Sequence, residues 1–251
     1  MTAGVAWITG ASSGIGAALA VELAGHGWQV AVSGRDAERL AAVRARAPAA
    51  IHPFALDVTD ADANVTVAAD IERRLGPIDR AVFNAGVGSG FSVDRFDAAD
   101  VRERMHVNYG GAVNGIGAVL PAMRARGRGQ IALTASVAGF RGLPDGAPYC
   151  ASKAAMIALA EGLALDLAPR GIDVRVITPG FVRTPLTDKN RFPMPFIIEP
   201  DDAARRIRRG LDGRGFEITF PKRLSYVLKT LQRLPYALYF PLIRRIAGGR
   251  S

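Results

Sequence analysis

The stretch Val5-Ala-Trp-Ile-Thr-Gly-Ala-Ser-Ser-Gly-Ile-Gly16 lies near the beginning of the chain and is followed by the apolar run from Ala17 to Leu23. Its first five residues predict a short buried strand, and the run after Gly16 predicts a helix. A glycine-rich turn between a strand and a helix N-terminus suits a phosphate group, because the backbone can approach closely and free amides face the anion. The spacing is Gly-x-x-x-Gly-x-Gly, which differs from the common Gly-x-Gly-x-x-Gly fingerprint.

Strand-like and helix-like patterns alternate along the rest of the chain. Further strands are predicted at Gln29–Ser33, Ile51–Leu56, Ile78–Phe83, Gln130–Ala135, Ile172–Ile177 and Phe216–Phe220. Helical patterns lie between them, at Asp60–Leu75, Asp97–Met123 and Tyr149–Leu167 and from Ala37 and Glu199 onward. This alternation implies a parallel sheet that helices cover on both faces. We therefore predict an α/β fold with a doubly wound parallel sheet.

The chain of 251 residues is long enough for one sizeable α/β domain, and its apolar fraction of 49% is ordinary. No composition break and no internal repeat divides residues 1–221. We predict a single domain over residues 1–221 and a basic, apolar helical extension over residues 222–251.

The single cysteine, Cys150, excludes a disulfide within the chain and fits a reducing compartment. No histidine lies near it in the sequence, so we expect Cys150 to pack rather than to act as a nucleophile. The first residues lack a basic signal-peptide segment, and no apolar run reaches the roughly 18 residues of a membrane span. These features predict a cytoplasmic protein, and we expect no metal ion.

The stretch from Ser136 to Lys153 carries a second signal. Ser136 follows a predicted strand, and Tyr149 and Lys153 are four residues apart near the start of a helix, so they share one helix face. A free tyrosine has a pKa of about 10, and an ammonium group one turn away lowers it toward the range useful for acid–base catalysis. The alternative is a buried tyrosine and a surface lysine on an ordinary helix.

If the glycine-rich turn binds a dinucleotide, the turn after the second predicted strand indicates which one, NAD(H) or NADP(H). An acid in this place binds a free ribose 2′-hydroxyl, whereas a nearby arginine accommodates a 2′-phosphate. The turn contains Ser33 and Arg35, and Asp36 is better placed to cap the helix that begins at Ala37. The sequence therefore favours NADP(H) over NAD(H).

Over residues 3–221 the chain resembles the short-chain dehydrogenase/reductase family, because several of the family's motifs occur in the family's order. They are the cofactor turn Thr9–Gly16, the adenine-contacting acid Asp57, the motif Asn84-Ala-Gly86, the catalytic tetrad Asn108, Ser136, Tyr149 and Lys153, and the nicotinamide-side loop with Pro179, Gly180 and Thr184. One departure is Phe83, where the family often has a second asparagine; we expect this ring simply to pack.

The resemblance implies a Rossmann-type sheet with a nicotinamide cofactor across its carboxyl edge, and it implies four catalytic roles. Tyr149 would exchange a proton with the substrate oxygen, and Ser136 would orient that oxygen. Lys153 would lower the tyrosine pKa and hold the nicotinamide ribose, and Asn108 would hold a water that relays protons. Residues from each motif would contact the cofactor: Gly10, Ser12, Ser13, Gly14, Ile15, Gly16, Ser33, Arg35, Asp57, Val58, Asn84, Ala85, Gly86, Tyr149, Lys153, Pro179, Gly180, Val182 and Thr184.

These residues predict an NADP(H)-dependent oxidoreductase that acts on a carbonyl or secondary alcohol. The alternative is a non-catalytic Rossmann-type sensor or scaffold, which would usually have lost the tyrosine or the lysine. Four residues of the segment 188–198, Phe192, Met194, Phe196 and Ile197, suggest an apolar substrate, or they only pack this segment onto the body. Small residues at Gly110, Gly111, Ala112, Gly115 and Gly117 would suit a homodimer or homotetramer, although packing within the chain explains them equally well.

The extension holds seven of the basic residues and no acid between residues 218 and 251, which accounts for most of the net charge of +9. Its apolar residues follow a helical spacing, at Leu224, Val227, Leu228, Leu231 and Leu234. Pro235 should interrupt the helix before Tyr236–Phe240. The extension either docks on the body or a partner subunit, or associates peripherally with an anionic membrane through residues 222–247. No nucleic-acid motif is present, so we expect no nucleic-acid partner.

Overall fold

The computed structural model describes residues 3–88, 91–188 and 193–248. Seven parallel strands form one sheet in the order β3-β2-β1-β4-β5-β6-β7. The strands are β1 (Gly4–Thr9), β2 (Trp28–Gly34), β3 (Ile51–Ala55), β4 (Ile78–Phe83), β5 (Gly129–Thr134), β6 (Ile172–Pro179) and β7 (Glu217–Phe220). The chain reverses its winding direction between β1 and β4, so a crevice opens at the carboxyl ends of these two strands.

Helices connect successive strands and cover both faces of the sheet, and the last two helices follow the final strand. They are α1 (Gly14–Ala24), α2 (Ala37–Ala45), α3 (Ala61–Leu75), α4 (Ala98–Met105), α5 (Gly111–Arg126), α6 (Ala147–Leu167), α7 (Pro200–Leu211), α8 (Lys222–Gln232) and α9 (Tyr236–Gly248). One core lies under α3, α5 and α6, and the other lies under α1, α2 and α7. The predicted doubly wound, Rossmann-type fold is confirmed.

Consecutive side chains of β1 pack into opposite cores, because side chains alternate between the two faces of a strand. Trp7 packs into the core under α3, α5 and α6, whereas Ile8 packs into the other, and both are fully buried. Phe83 meets Trp7 edge to face with ring centres 5.9 Å apart. A side chain at Gly115 would collide with the Phe83 ring. The expectation that Phe83 packs is therefore correct, and Gly115 is explained by packing within the chain.

Two local expectations meet different outcomes. Asp36 caps α2 as predicted, since its carboxylate accepts from the Arg39 amide at 3.0 Å. The helix predicted over Asp97–Met123 is instead α4, a π-helical turn at His106–Gly110 and then α5. A π turn shifts the helical register by one residue and often marks a functional site. Here it carries Asn108.

Candidate active site

The carboxyl ends of β1, β4, β5 and β6 border a cavity of about 290 Å³. Most of the predicted cofactor residues line it, from the glycine turn, the end of β4, the start of α6 and the loop after β6. These are Gly10, Ser12, Ser13, Gly14, Ile15, Arg35, Asp57, Val58, Asn84, Ala85, Gly86, Tyr149, Lys153, Pro179, Gly180, Val182 and Thr184, together with Ser136. The fold thus brings together motifs that lie up to about 170 residues apart.

The glycine turn leaves its helix N-terminus open to a ligand. Ser13 precedes α1 without capping it, and the first turn holds no acid, so neither the N-cap residue nor an acid of the first turn occupies the helix amides. Gly14 has a φ of +56°, in the left-handed region that favours glycine. A phosphate group fits such a cradle, because the amides and the helix dipole both favour an anion.

Gly16 is required for close packing and does not itself border the cavity. A Cβ there would lie 2.5 Å from the Gly10 carbonyl oxygen and 2.7 Å from Asn84 Nδ2, and Gly16 does not line the cavity. Asn84 Nδ2 donates to the carbonyls of Thr9 and Gly10 at 3.3 and 3.2 Å. The close approach that Gly16 permits therefore lets Asn84 tie the end of β4 to the turn.

The structure corrects the prediction for Ser33. This side chain is fully buried and does not line the cavity, because its hydroxyl accepts from Trp7 Nε1 at 2.9 Å. Ser33 lies within β2 and points toward Trp7, whereas the exposed Arg35 follows the end of the strand and borders the cavity. Asp57 also borders the cavity, near Arg35. Hydrogen bonds from the backbone amide and the hydroxyl of Thr59 hold the pKa of Asp57 below its usual value, and the charges of Arg35 and His106 contribute less.

Ser136 and Tyr149 meet at one side of the cavity. Ser136 is buried at the end of β5, where its hydroxyl accepts from the Ala138 amide at 3.1 Å. The Tyr149 hydroxyl lies near the Ser136 hydroxyl, which donates to the Pro179 carbonyl at 3.4 Å. Burial raises the pKa of Tyr149, and the neighbouring Ser136 hydroxyl acts in the opposite direction. The phenol is therefore protonated at neutral pH.

Lys153 lies beneath Tyr149, almost fully buried. Its Nζ donates to the Thr134 carbonyl at 2.8 Å and lies 5.7 Å from the centre of the Tyr149 ring. Burial lowers the pKa of Lys153 to about 8, because the low-dielectric surroundings penalise the ammonium form. The predicted lowering of the Tyr149 pKa by Lys153 is not what this geometry gives, since burial of the phenol is the larger influence.

Asn108 is fully buried and does not line the cavity. Its Oδ1 accepts from the Val87 amide at 2.6 Å, and its Nδ2 donates to the Val87 carbonyl and to Ser152 Oγ, both at 2.9 Å. The carboxamide thus ties the segment after β4 to α6. The role in holding a relay water stays a prediction, and the side chain has this structural role in addition.

Several lining residues were missed by sequence reasoning. They are Gly34, Leu56, Thr59, Val87, Glu103, Val107, Thr134, Ala135, Pro185, Leu186 and Thr187. Thr134 and Ala135 directly precede Ser136, so the strand end itself was a usable signal. Leu186 and Thr187 follow Thr184 in a loop without a regular pattern, and only the fold shows where they lie.

The segment 188–198 is described in part. Phe192 lies outside the described residues; Phe196 is exposed, and Met194 and Ile197 are half-buried. None of these three borders the cavity, where the apolar residues near Tyr149 include Val87 and Leu186 instead.

Comparison with known proteins agrees with this geometry. The model of the family described as short chain dehydrogenase matches residues 4–193. The chain belongs to the short-chain dehydrogenase/reductase family. Members of this family are oxidoreductases that bind a nicotinamide cofactor. An uncharacterized oxidoreductase of Myxococcus xanthus is 40% identical over 244 residues, which cover 96% of each chain.

Two solved structures show the same short-chain dehydrogenase fold. A short-chain dehydrogenase from Streptomyces avermitilis has a TM-score of 0.85 at 28% identity, over 100% of this chain and 99% of that one. A substituted form of the actinorhodin polyketide ketoreductase, solved with NADPH, has a TM-score of 0.81 at 27% identity, over 90% of this chain and 99% of that one.

Proposed function

We propose that this enzyme is an NADP(H)-dependent oxidoreductase that interconverts an apolar carbonyl compound and its secondary alcohol. The observation that carries the proposal is that Ser136, Tyr149 and the buried Lys153 line the same cavity as the glycine turn. When bound there, the nicotinamide supplies the hydride that reaches the carbonyl carbon. The non-catalytic alternative, a sensor or scaffold, is disfavoured because all four predicted catalytic residues are present.

In the reductive direction, Tyr149 donates its phenolic proton to the carbonyl oxygen as the charge develops. The raised pKa of Tyr149 keeps this proton in place until it is needed. Ser136 holds the same oxygen through its hydroxyl, and the ammonium group of Lys153 stabilises the phenolate that remains. The walls near Tyr149 include Val87, Pro185 and Leu186, which support an apolar substrate.

A substrate screen tests the function. The purified protein is assayed for loss of NADPH absorbance with matched sets of apolar and charged ketones, and NADH is used in parallel. We expect turnover of apolar ketones with NADPH. NADPH binding without turnover of any carbonyl or alcohol would favour the sensor or scaffold.

Arg35 supports the proposal of NADP(H), because a guanidinium group binds a 2′-phosphate through two parallel hydrogen bonds. We expect Arg35→Ala to weaken NADPH binding roughly tenfold to a hundredfold, since a hydrogen bond between charged groups contributes about 1.5–3 kcal/mol. The affinity for NADH should change little. Fluorescence titration of both cofactors measures this, and Arg44→Ala, an exposed arginine of α2, is the control. An equal loss for both cofactors would contradict the role.

We also propose that α9 associates with anionic membranes. Five of its apolar side chains are between 39% and 69% exposed: Tyr236, Leu238, Phe240, Leu242 and Ile246. Arg244 and Arg245 are exposed on the same helix. A second copy of the chain is a poorer partner, because a two-fold interface would place this basic surface against itself. No helix among the described residues is long and apolar enough to cross a bilayer, so the contact would be peripheral.

Vesicle co-sedimentation tests the membrane proposal. We expect the protein to pellet with vesicles that contain phosphatidylglycerol at low salt, and to stay in the supernatant with pure phosphatidylcholine or at high salt. Leu238→Asp should weaken pelleting, because it removes an exposed apolar group and adds a negative charge. Thr230→Asp, on the exposed surface of α8, adds the same charge without removing a large apolar side chain. Absence of pelleting at low salt would contradict the proposal.

A homodimer or homotetramer also stays a proposal. Val113 of α5 and Leu165 of α6 are 40% and 78% exposed, which supports a partner surface on these helices. Gly111 does not contribute to that support, since a Cβ there would lie 2.6 Å from Val58 Cγ2 within the same chain.

A further inference from the structure

The segment 137–146 joins the two residues whose hydroxyls meet in the cavity. It begins directly after Ser136 and ends at the first turn of α6, where Tyr149 lies. Both ends are anchored on the body: Gly139 packs against the backbone of Lys153, and the Gly146 carbonyl accepts from the Cys150 amide at 2.8 Å. The middle of the segment is held differently, by the C-terminal extension.

Arg141 contacts the end of α8 and the turn that follows it, where three carbonyl oxygens share one guanidinium nitrogen. Its Nη1 donates to the carbonyls of Leu231, Gln232 and Leu234 at 2.9, 2.9 and 2.6 Å. The last carbonyls of a helix have no partner within the helix, and the helix dipole favours a cation there. Arg141 therefore satisfies the C-terminus of a helix that lies about 90 residues further along the chain.

Two tyrosines of α9 complete this contact. The Arg141 guanidinium lies 3.8 Å from the ring centre of Tyr239 and 4.7 Å from that of Tyr236, a cation–π arrangement. The Tyr239 hydroxyl donates to the Gly142 carbonyl at 2.5 Å, and Tyr239 is only 2% exposed. Lys229 of α8 also lies over the Phe140 ring, 5.3 Å from its centre.

We propose that α8 and α9 form a clamp that positions the active site, with Arg141 as its central positioning residue. The clamp fixes the segment 137–146 and thereby the separation and alignment of the Ser136 and Tyr149 hydroxyls. Arg141 itself does not line the cavity. The inference rests on the proposed function, and it extends that function by giving the C-terminal extension a part in catalysis.

The size of the effect follows from the geometry of catalysis. A displacement of about 1 Å at reacting groups can lower a rate by roughly 10²-fold. Loss of the clamp leaves both ends of the segment anchored, so we expect a smaller displacement and a smaller loss. The glycine turn and Arg35 lie on other elements, so cofactor binding should be affected little.

The test uses the full chain with Arg141→Ala, Arg141→Lys and Tyr239→Phe, and Arg233→Ala as a control for the lost charge. Arg233 is an exposed residue of the extension. With a ketone from the screen, Arg141→Ala should lower kcat roughly tenfold and change the Kd for NADPH less than about twofold. Arg141→Lys should recover part of the rate, and Tyr239→Phe should lower kcat less than Arg141→Ala does. Arg233→Ala should resemble the unmodified protein.

A purely structural contact would give a different result. The thermal midpoint would fall in Arg141→Ala while kcat per NADPH-binding site stayed unchanged, and this would overturn the proposal. If Arg141→Ala does not fold, Tyr239→Phe takes its place, and a lower thermal midpoint with unchanged kcat in that variant would likewise overturn the proposal. Hydrogen exchange separates this inference from the proposed function: residues 137–146 should exchange faster in Arg141→Ala even if no substrate has been found. Unchanged exchange there would overturn the clamp alone.

Discussion

Tyr149→Phe is expected to lower the kcat for carbonyl reduction by about 10²–10⁴-fold, the usual contribution of general acid–base catalysis. The change removes a single oxygen from a side chain that lines the cavity beside Ser136. The ring and its contacts with the loop after β4 remain, so the Kd for NADPH should stay within about twofold of the original. Steady-state kinetics and fluorescence titration measure the two quantities.

The control for this variant is Tyr226→Phe, which removes the same atom from an exposed tyrosine of α8. It should leave kcat unchanged. Turnover at the original rate in Tyr149→Phe, measured at the same pH, would exclude Tyr149 as the proton donor.

Lys153→Met is expected to lower both kcat and the affinity for NADPH, because Lys153 is proposed to stabilise the Tyr149 phenolate and to hold the nicotinamide ribose. Methionine keeps most of the length of the side chain but removes the charge and the hydrogen bond to the Thr134 carbonyl. We expect kcat to fall by roughly 10²-fold or more. The Kd for NADPH should rise roughly tenfold, the effect of losing one charged hydrogen bond.

The pH profile shows which role the charge of Lys153 has. Burial lowers the pKa of Lys153 to about 8, so the ammonium form is present below that pH and is lost above it. The proton of Tyr149 stays in place throughout, because its pKa is raised. The reduction rate should therefore be level at lower pH and fall as the pH passes through about 8. The rate of Lys153→Met should show no fall near this pH. Lys222→Met, which changes an exposed lysine of α8, should keep the original pH profile.

Unchanged affinity for NADPH in Lys153→Met would exclude the proposed role of Lys153 in binding the nicotinamide ribose.

Most of the fold could be predicted because local patterns and global architecture agree in this chain. The run at Ile78–Phe83 was placed with both of its boundaries correct, and other strand boundaries differ by one or two residues, since it is the ends of elements that sequence patterns define least. The π turn at His106–Gly110 was not predicted. It carries Asn108, whose contacts to Val87 and Ser152 join segments that lie far apart in the sequence, and the local pattern holds no signal of them.

The site could be predicted at the level of motifs, but not at the level of side-chain direction. Ser33 lies near the end of β2 and Arg35 directly follows the strand, yet only Arg35 borders the cavity, because Ser33 is hydrogen-bonded to Trp7 in the sheet interior. The pKa of Tyr149 is a second example. The spacing of Tyr149 and Lys153 indicates that their charges interact, but burial, which depends on the whole fold, has the larger influence.

The apolar helical spacing of the extension was open to two interpretations, docking on the body or a partner subunit and contact with a membrane. Pro235 separates α8 from α9 as predicted. Leu228, Leu231 and Tyr239 face the segment 137–146, which agrees with docking on the body. Val227 was assigned to the same apolar face but is 56% exposed. The helical spacing did not distinguish these positions, because the docked surface is narrower than the apolar stripe.

The transfer of deuterium from NADPH to a ketone tests the central claim most directly. The protein is incubated with an apolar ketone and NADPH that carries deuterium at both hydrogen positions of the reactive carbon of the nicotinamide, and the alcohol is analysed by mass spectrometry. We expect one deuterium on the carbinol carbon of the alcohol with the unmodified protein, and almost no labelled alcohol with Tyr149→Phe in the same time. An alcohol without deuterium, or a protein that binds NADPH and forms no alcohol from any ketone in the screen, would contradict it.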